Sequence, residues 1–160
     1  MHPEKGKTVV AKDISAADAL LETADWISLK NVHKALVWVK HSGVNATNLV
    51  LKLQEATNVA GGSADDIATT FPIWADVDAG TGSDTLVRQT DAATFTISPA
   101  TQGSALVCFE VDPARLLSAG FDCIRLASTG GHGSNNVVAW YELEYRYAGP
   151  ADTMPSAITD

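Results

Sequence analysis

The stretch 136–147 most restricts what this chain can fold into. Val138, Trp140, Glu142, Glu144 and Arg146 share one parity, and Val137, Ala139, Tyr141, Leu143, Tyr145 and Tyr147 share the other. Period two is the signature of a strand with one face inward, because an α-helix scatters alternate residues around its axis. The same period recurs at 26–31. In 33–41 it sets Ala35, Val37 and Val39 against Leu36 and Trp38, so that this strand reads as apolar on both faces near its middle. In 48–53 it places Leu49, Leu51 and Leu53 on one face. The intervening Ser42-Gly43-Val44-Asn45 is a turn, and the short connection predicts an antiparallel hairpin of 33–41 with 48–53.

Further strands are predicted at 71–77, where Pro72 marks an edge or a strand start, and at 85–89, 94–97, 105–111 and 121–127. Gly-rich turns at 57–66 and 78–84 separate them. One helical turn is expected at 112–117, with Asp112 as N-cap, Pro113 in the first helical position and Gly120 closing it. About eight strands with almost no helix predict an all-β fold, a β-sandwich of jelly-roll or Greek-key type. An immunoglobulin-like order is the second choice. The domain organisation expected is an N-terminal arm at 1–23, a sandwich at 24–148 and an extended tail at 149–160. Ser15-Ala-Ala-Asp18 resembles a capping box, so the arm is expected to carry a short helix of about two turns, too short to stand alone.

Composition narrows the function. The chain has 160 residues, enough for one domain. With 11 Lys and Arg against 19 Asp and Glu its formal charge is −8. That balance opposes a nucleic-acid binder, which needs a basic face to displace counterions, and opposes docking on anionic lipid. Charged residues are only 19% of the chain, so Ala, Thr, Ser, Gly and Asn must cover much of the surface. Such a surface is compatible with extensive protein contacts. No apolar run reaches the length of a membrane span, and 1–12 lacks the apolar core of a signal peptide. Synthesis in the cytoplasm is therefore expected. Cys108 and Cys123 each lie in an apolar run and are read as free, packed thiols.

Reactive constellations are sparse. Asp76-Val-Asp78-Ala-Gly80-Thr-Gly82-Ser-Asp84 has the acidic look of a calcium loop. Glycines stand where ligands are required, however, and no bidentate Glu follows, so a solvated turn is favoured. Gly130-Gly131-His132-Gly133 lacks the Lys-Ser/Thr of a phosphate loop and is read as a surface loop. No His has a Cys or carboxylate partner at a readable spacing, and no G-x-S-x-G elbow occurs. No catalytic residue, metal or cofactor is expected. Tyr141, Tyr145 and Tyr147 share a parity, which keeps a sugar-binding platform open, although core or interface packing is favoured for them.

Several segments together resemble the small structural proteins of tailed bacteriophages. They are 26–39 (Trp-Ile-Ser-Leu-Lys-Asn-Val-His-Lys-Ala-Leu-Val-Trp-Val), Phe71-Pro-Ile-Trp-Ala-Asp-Val-Asp and Asp84-Thr-Leu-Val-Arg-Gln-Thr-Asp. Val107-Cys-Phe-Glu-Val-Asp-Pro-Ala-Arg-Leu, Phe121-Asp-Cys-Ile-Arg-Leu, Tyr145-Arg-Tyr-Ala and the Pro-Ser-Ala-Ile tail complete the set. The resemblance is to decoration, or cement, proteins of the capsid. It implies a non-enzymatic virion protein on the outer capsid surface, clamping neighbouring copies of the major capsid protein, as a homotrimer or another homo-oligomer. It implies no contact with nucleic acid or membrane. The alternatives are a carbohydrate-binding sandwich and a tail or neck component of the same virion. Contacts with partners are expected from the arm (His2, Lys5, Lys7), from the loops at Gly61 and at Gly131 and His132, and from the tail (Met154, Pro155, Ile158). Deletion of 1–12 is expected to weaken assembly more than it destabilises the domain.

Overall fold

The computed structural model describes residues 6–16, 24–80, 82–116, 120–147 and 156–158. Two antiparallel sheets face each other. One is six-stranded and comprises β1 (Gly6–Ala16), β3 (Val32–Ser42), β6 (Ile73–Asp76), β7 (Val87–Arg88), β9 (Ser104–Val111) and β11 (Asn136–Tyr145), in the order β1-β11-β3-β9-β6-β7. The other is five-stranded. It comprises β2 (Ile27–Ser28), β4 (Leu49–Ala56), β5 (Asp65–Asp66), β8 (Thr94–Ile97) and β10 (Cys123–Gly130), in the order β2-β10-β4-β5 with β8 also on β4.

The pairings nest. β1 pairs with β11, β2 with β10, β3 with β9 and β4 with β8, all antiparallel. Partnering the first strand with the last, the second with the next to last, and so inward, is the jelly-roll arrangement. β5, β6 and β7 lie between β4 and β8 in the chain, and β6 with β7 widens the larger sheet beyond β9. The all-β sandwich expected from the alternation is the fold observed.

Alternation dictates the core. Ala35, Val37 and Val39 of β3, Val107, Phe109 and Val111 of β9, and Ala139, Tyr141 and Leu143 of β11 point inward from the larger sheet. Leu49, Leu51 and Leu53 of β4 meet them from the smaller one, with Ile124 and Leu126 of β10. Phe71 packs edge-on to Phe109 at 6.3 Å. The Tyr141 phenol bridges the layers. It accepts the Leu126 N–H at 2.9 Å and donates to the Asp25 carbonyl at 3.1 Å.

The structure departs from the sequence reading in several places. β3 and β4 do not form a hairpin. Residues 43–48 carry the chain from one sheet to the other, because both edges of β3 are occupied by β9 and β11, and β4 has β10 on one edge and β5 with β8 on the other. The segment expected to be an arm with a short helix contains β1, bonded along β11 from Gly6↔Glu144 to Ala16↔Asn136 with two register shifts. Ser15 and Ala16, expected to open a helix, belong to that strand, and 17–21 lie outside the described residues. A two-turn helix is marginal in water, whereas a sheet edge offers a full row of backbone partners. The tail also returns to the body. Ala157 is buried, and its carbonyl accepts the Ser28 N–H at 2.7 Å.

The expected helical turn is α1 (Pro113–Leu116), capped by Asp112 Oδ1, which accepts the Ala114 N–H at 3.1 Å. Among the described residues no helix is long and apolar enough to cross a membrane. Cys108 and Cys123 are buried thiols that form no disulfide with each other, one in each sheet.

Candidate functional site

The two outer faces of the sandwich differ in chemistry. On the smaller sheet the outward residues form a connected polar ladder. Arg125 donates to Gln54 Oε1 at 2.6 and 3.1 Å, and Gln54 Nε2 donates to Asp66 Oδ1 at 2.8 Å. Lys52 Nζ closes the ladder on Asp66 Oδ2 at 2.8 Å, and its ammonium holds the Asp66 carboxyl below the ordinary carboxylate range. The Arg125 guanidinium also lies over the Trp26 ring, 4.6 Å from its centre. This face satisfies itself.

The outer face of the larger sheet is aromatic. Registry places Val10, Trp140, Trp38, Cys108, Trp74 and Arg88 side by side, one from each strand, in a single row across all six strands. The chain has four tryptophans, and three of them stand in this row. Each of the three is half-buried, and Val10 is 58% exposed at the end of the row. On one side of it run Thr8, Glu142, Leu36 and Glu110, and on the other Val138, Lys40, Leu106 and Asp76.

The ring geometry restricts what this face can hold. Trp38 and Trp140 stack on each other, with centres 6.0 Å apart and planes 11° apart. The Arg88 guanidinium lies over Trp74 at 5.6 Å, held by an ion pair to Asp91. A sugar ring stacks on an open aromatic face, and one face of each of these three rings is already engaged by another ring or by the guanidinium. With Val10, Leu36, Leu106 and Val138 beside them, the rings make a largely apolar surface of the kind that packs against protein. Cys108, in the middle of the row, is 3% exposed, and burial, aided by the Glu110 and Glu142 charges, pushes its thiol up to about 12. It packs as a small apolar group, and the raised pKa disfavours its thiolate.

A cleft of about 360 Å³ opens at the Glu110 end of this sheet, lined by residues that include His33, Lys34, Asp91, Glu110 and Asp112. Its carboxylates have their own partners. Glu110 pairs with Lys34 at 2.5 Å, Asp91 with Arg88, and Asp112 caps α1. In the 76–84 turn, Asp76 Oδ1 accepts the Asp78 N–H at 3.1 Å, the local bond of an Asx turn. Among the described residues no three His, Cys, Asp or Glu side chains converge as a metal-binding group.

The residues expected to contact partners do not gather. Lys7 lies in β1 opposite Leu143. Gly61 sits in the loop after β4 at φ +77°, where an added Cβ would come within 2.6 Å of Trp26 Nε1. Gly131 lies at the other end of β4, its N–H donating to the Asn48 carbonyl at 2.9 Å, and His132 Nδ1 accepts the Ser134 N–H at 3.1 Å. Ile158 is 53% exposed beside the buried Ala157. His2, Lys5, Met154 and Pro155 lie outside the described residues. The tyrosine platform is overturned. Tyr141 and Tyr145 are 0% and 8% exposed because their parity faces the core, and only Tyr147, beyond β11, is open at 75%.

No local pattern in the sequence joins Trp38, Trp74 and Trp140, so sequence reasoning misses the row. A signal was present for one of the three: Trp140 shares its parity with Glu142 and Glu144, which must face water, so it points outward with them.

No family model matches the chain. No curated protein matches it either. Among solved structures it is similar to the SPBc2 prophage-derived protein YomS, with 9% identity and a TM-score of 0.47 over 86% of this chain and 91% of that one. It is also similar to a protein of Bacteroides thetaiotaomicron described as sugar binding, with 13% identity and a TM-score of 0.30 over 88% of this chain and 66% of that one. Identities and TM-scores this low transfer no role to this chain.

Proposed function

We propose that this chain is a non-enzymatic structural protein of a tailed-phage virion, which decorates the outer capsid surface and clamps neighbouring copies of the major capsid protein. The observation that carries the reading is the six-residue row on the larger sheet. It is a floor of rings and aliphatic side chains in which one face of each ring is already engaged, on a molecule whose other outer face satisfies its own polar groups. Such a floor is suited to protein packing rather than to chemistry. The cleft is consistent with this reading, since Glu110, Asp91 and Asp112 serve there as ion-pair partners and a helix cap. The resemblance of several of its segments to decoration proteins supplies the setting. Modest affinity per copy suffices on a shell, because many copies engage one lattice.

The test is co-sedimentation of purified protein with undecorated capsids. Saturable binding, accompanied by a rise in the temperature at which the capsids rupture, is expected. Failure to bind any capsid surface, with the protein located instead in a tail or neck ring by electron microscopy of the particle, overturns it.

A further inference from the structure

The aromatic row has a geometry that selects its own partner. We infer that the outer face of the larger sheet pairs with the same face of a second copy of this chain, about a two-fold axis parallel to the row. This inference deepens the structural-protein reading by naming the occupant of that floor.

Charge placement favours this axis. A rotation about the row returns each strand onto its own counterpart, so Trp38 meets Trp38 and Trp74 meets Trp74. The two flanking rows exchange places. Lys40, between Val138 and Leu106 on one flank, then stands over Leu36 of the other copy. Leu36 lies between Glu142 and Glu110 on neighbouring strands. Each copy thus delivers one ammonium group between two carboxylates of the other, twice per pair, and the contact is self-complementary as a two-fold interface must be. An axis along the strands would set Glu142 against Glu110, like against like, and is disfavoured.

The remaining contacts fit. Lys40 Nζ rests on Ser104 Oγ at 2.5 Å, a neutral hydroxyl that it can leave or share. The row spans five inter-strand steps, about 24 Å at the usual sheet spacing. A contact of that width, only a few residues tall, belongs with small, weak interfaces, so association in the micromolar range is expected.

Sedimentation analysis of the full chain without capsids tests the pairing and is independent of any capsid result. Wild-type protein should approach twice the 16.8 kDa chain mass as its concentration rises through the micromolar range. Lys40→Glu should weaken association at least about tenfold, because a carboxylate then meets two others. The double variant Glu110→Lys with Glu142→Lys should also be monomeric. An equimolar mixture of the two variants should regain the dimer, since every contact is again between opposite charges. Circular dichroism of each variant verifies the fold, and Trp38→Ser gives a second, uncharged disruption of the same face. A wild type that stays monomeric overturns the inference. So does a trimer indifferent to Lys40→Glu, a mixture that fails to associate, or a monomer that binds insoluble glucan through the tryptophans. A dimer that fails to bind capsids would leave the pairing intact and remove the capsid role.

Discussion

At the scale of single residues, two buried polar side chains carry much of the specificity of this core. Tyr141 joins the sheets by accepting from Leu126 and donating to Asp25, and burial pushes its phenol pKa upward. Tyr141→Phe keeps the packing but orphans an N–H and a carbonyl, so a loss of about 1–3 kcal/mol is expected in urea unfolding. His41 is fully buried between Ala105 and Val137, and neither of its ring nitrogens has a hydrogen-bond partner among the described residues. Burial, and then the adjacent Lys40 charge, holds its pKa below 6.5. The unfolded chain therefore binds a proton near pH 6.5 that the folded chain refuses. Stability should be complete above that pH and fall as the pH drops through it. His41→Leu should flatten this part of the pH profile, and an unchanged slope in the variant would assign the acid sensitivity elsewhere. Neither role is visible in sequence. Parity marks Tyr141 and His41 as candidates for the interior, but which carbonyl or amide faces them depends on strands distant in the chain.

At the scale of elements, β1 shows how local pattern can mislead. Residues 15–21 look helical in isolation, yet Gly6–Ala16 runs as the edge strand beside β11, with Ala11 in the core. Removing 1–12 strips backbone partners from β11 and uncovers the core at one end of the sandwich. A clear fall in melting temperature is expected, against the initial expectation that assembly would suffer more than stability. A truncated chain that melts like the full one would contradict this placement. Gly130 is a second element-level constraint. It ends β10 at φ +76°, and a Cβ there would sit 2.3 Å from the Asn48 carbonyl oxygen. Gly130→Ala should cost roughly 1–3 kcal/mol from left-handed backbone strain and displaced contacts. Most other elements were legible. The strand at 94–97 coincides with β8, and the Asp112-Pro113 signal marks α1. Local chemistry suffices there, because a cap, a proline and an alternating run act within a few residues.

At the scale of the whole molecule, nesting makes the ends of the chain interdependent. β1 and β11 close one side of the larger sheet, so folding must bring residues 6–16 to residues 136–145 before that side is complete. Contacts of such sequence separation are slow to form, and refolding on the millisecond-to-second scale is expected in stopped-flow tryptophan fluorescence. Submillisecond refolding would contradict it. The sequence by itself determined the all-β class, the two-residue period of the strands at 33–41, 48–53 and 136–147, the helical turn and the packing of both cysteines in apolar runs. Each of these follows from the two-residue period or from chemistry acting over a few residues. Only the tertiary structure decided that β3 and β4 lie on opposite sheets, that the N-terminal segment is a strand, and that Val10, Trp140, Trp38, Cys108, Trp74 and Arg88 form one row. Parity tells which way a side chain points, but register between strands distant in the chain, such as Val10 beside Trp140, sets its neighbours, and a shift of one residue would turn the same tryptophans into the core.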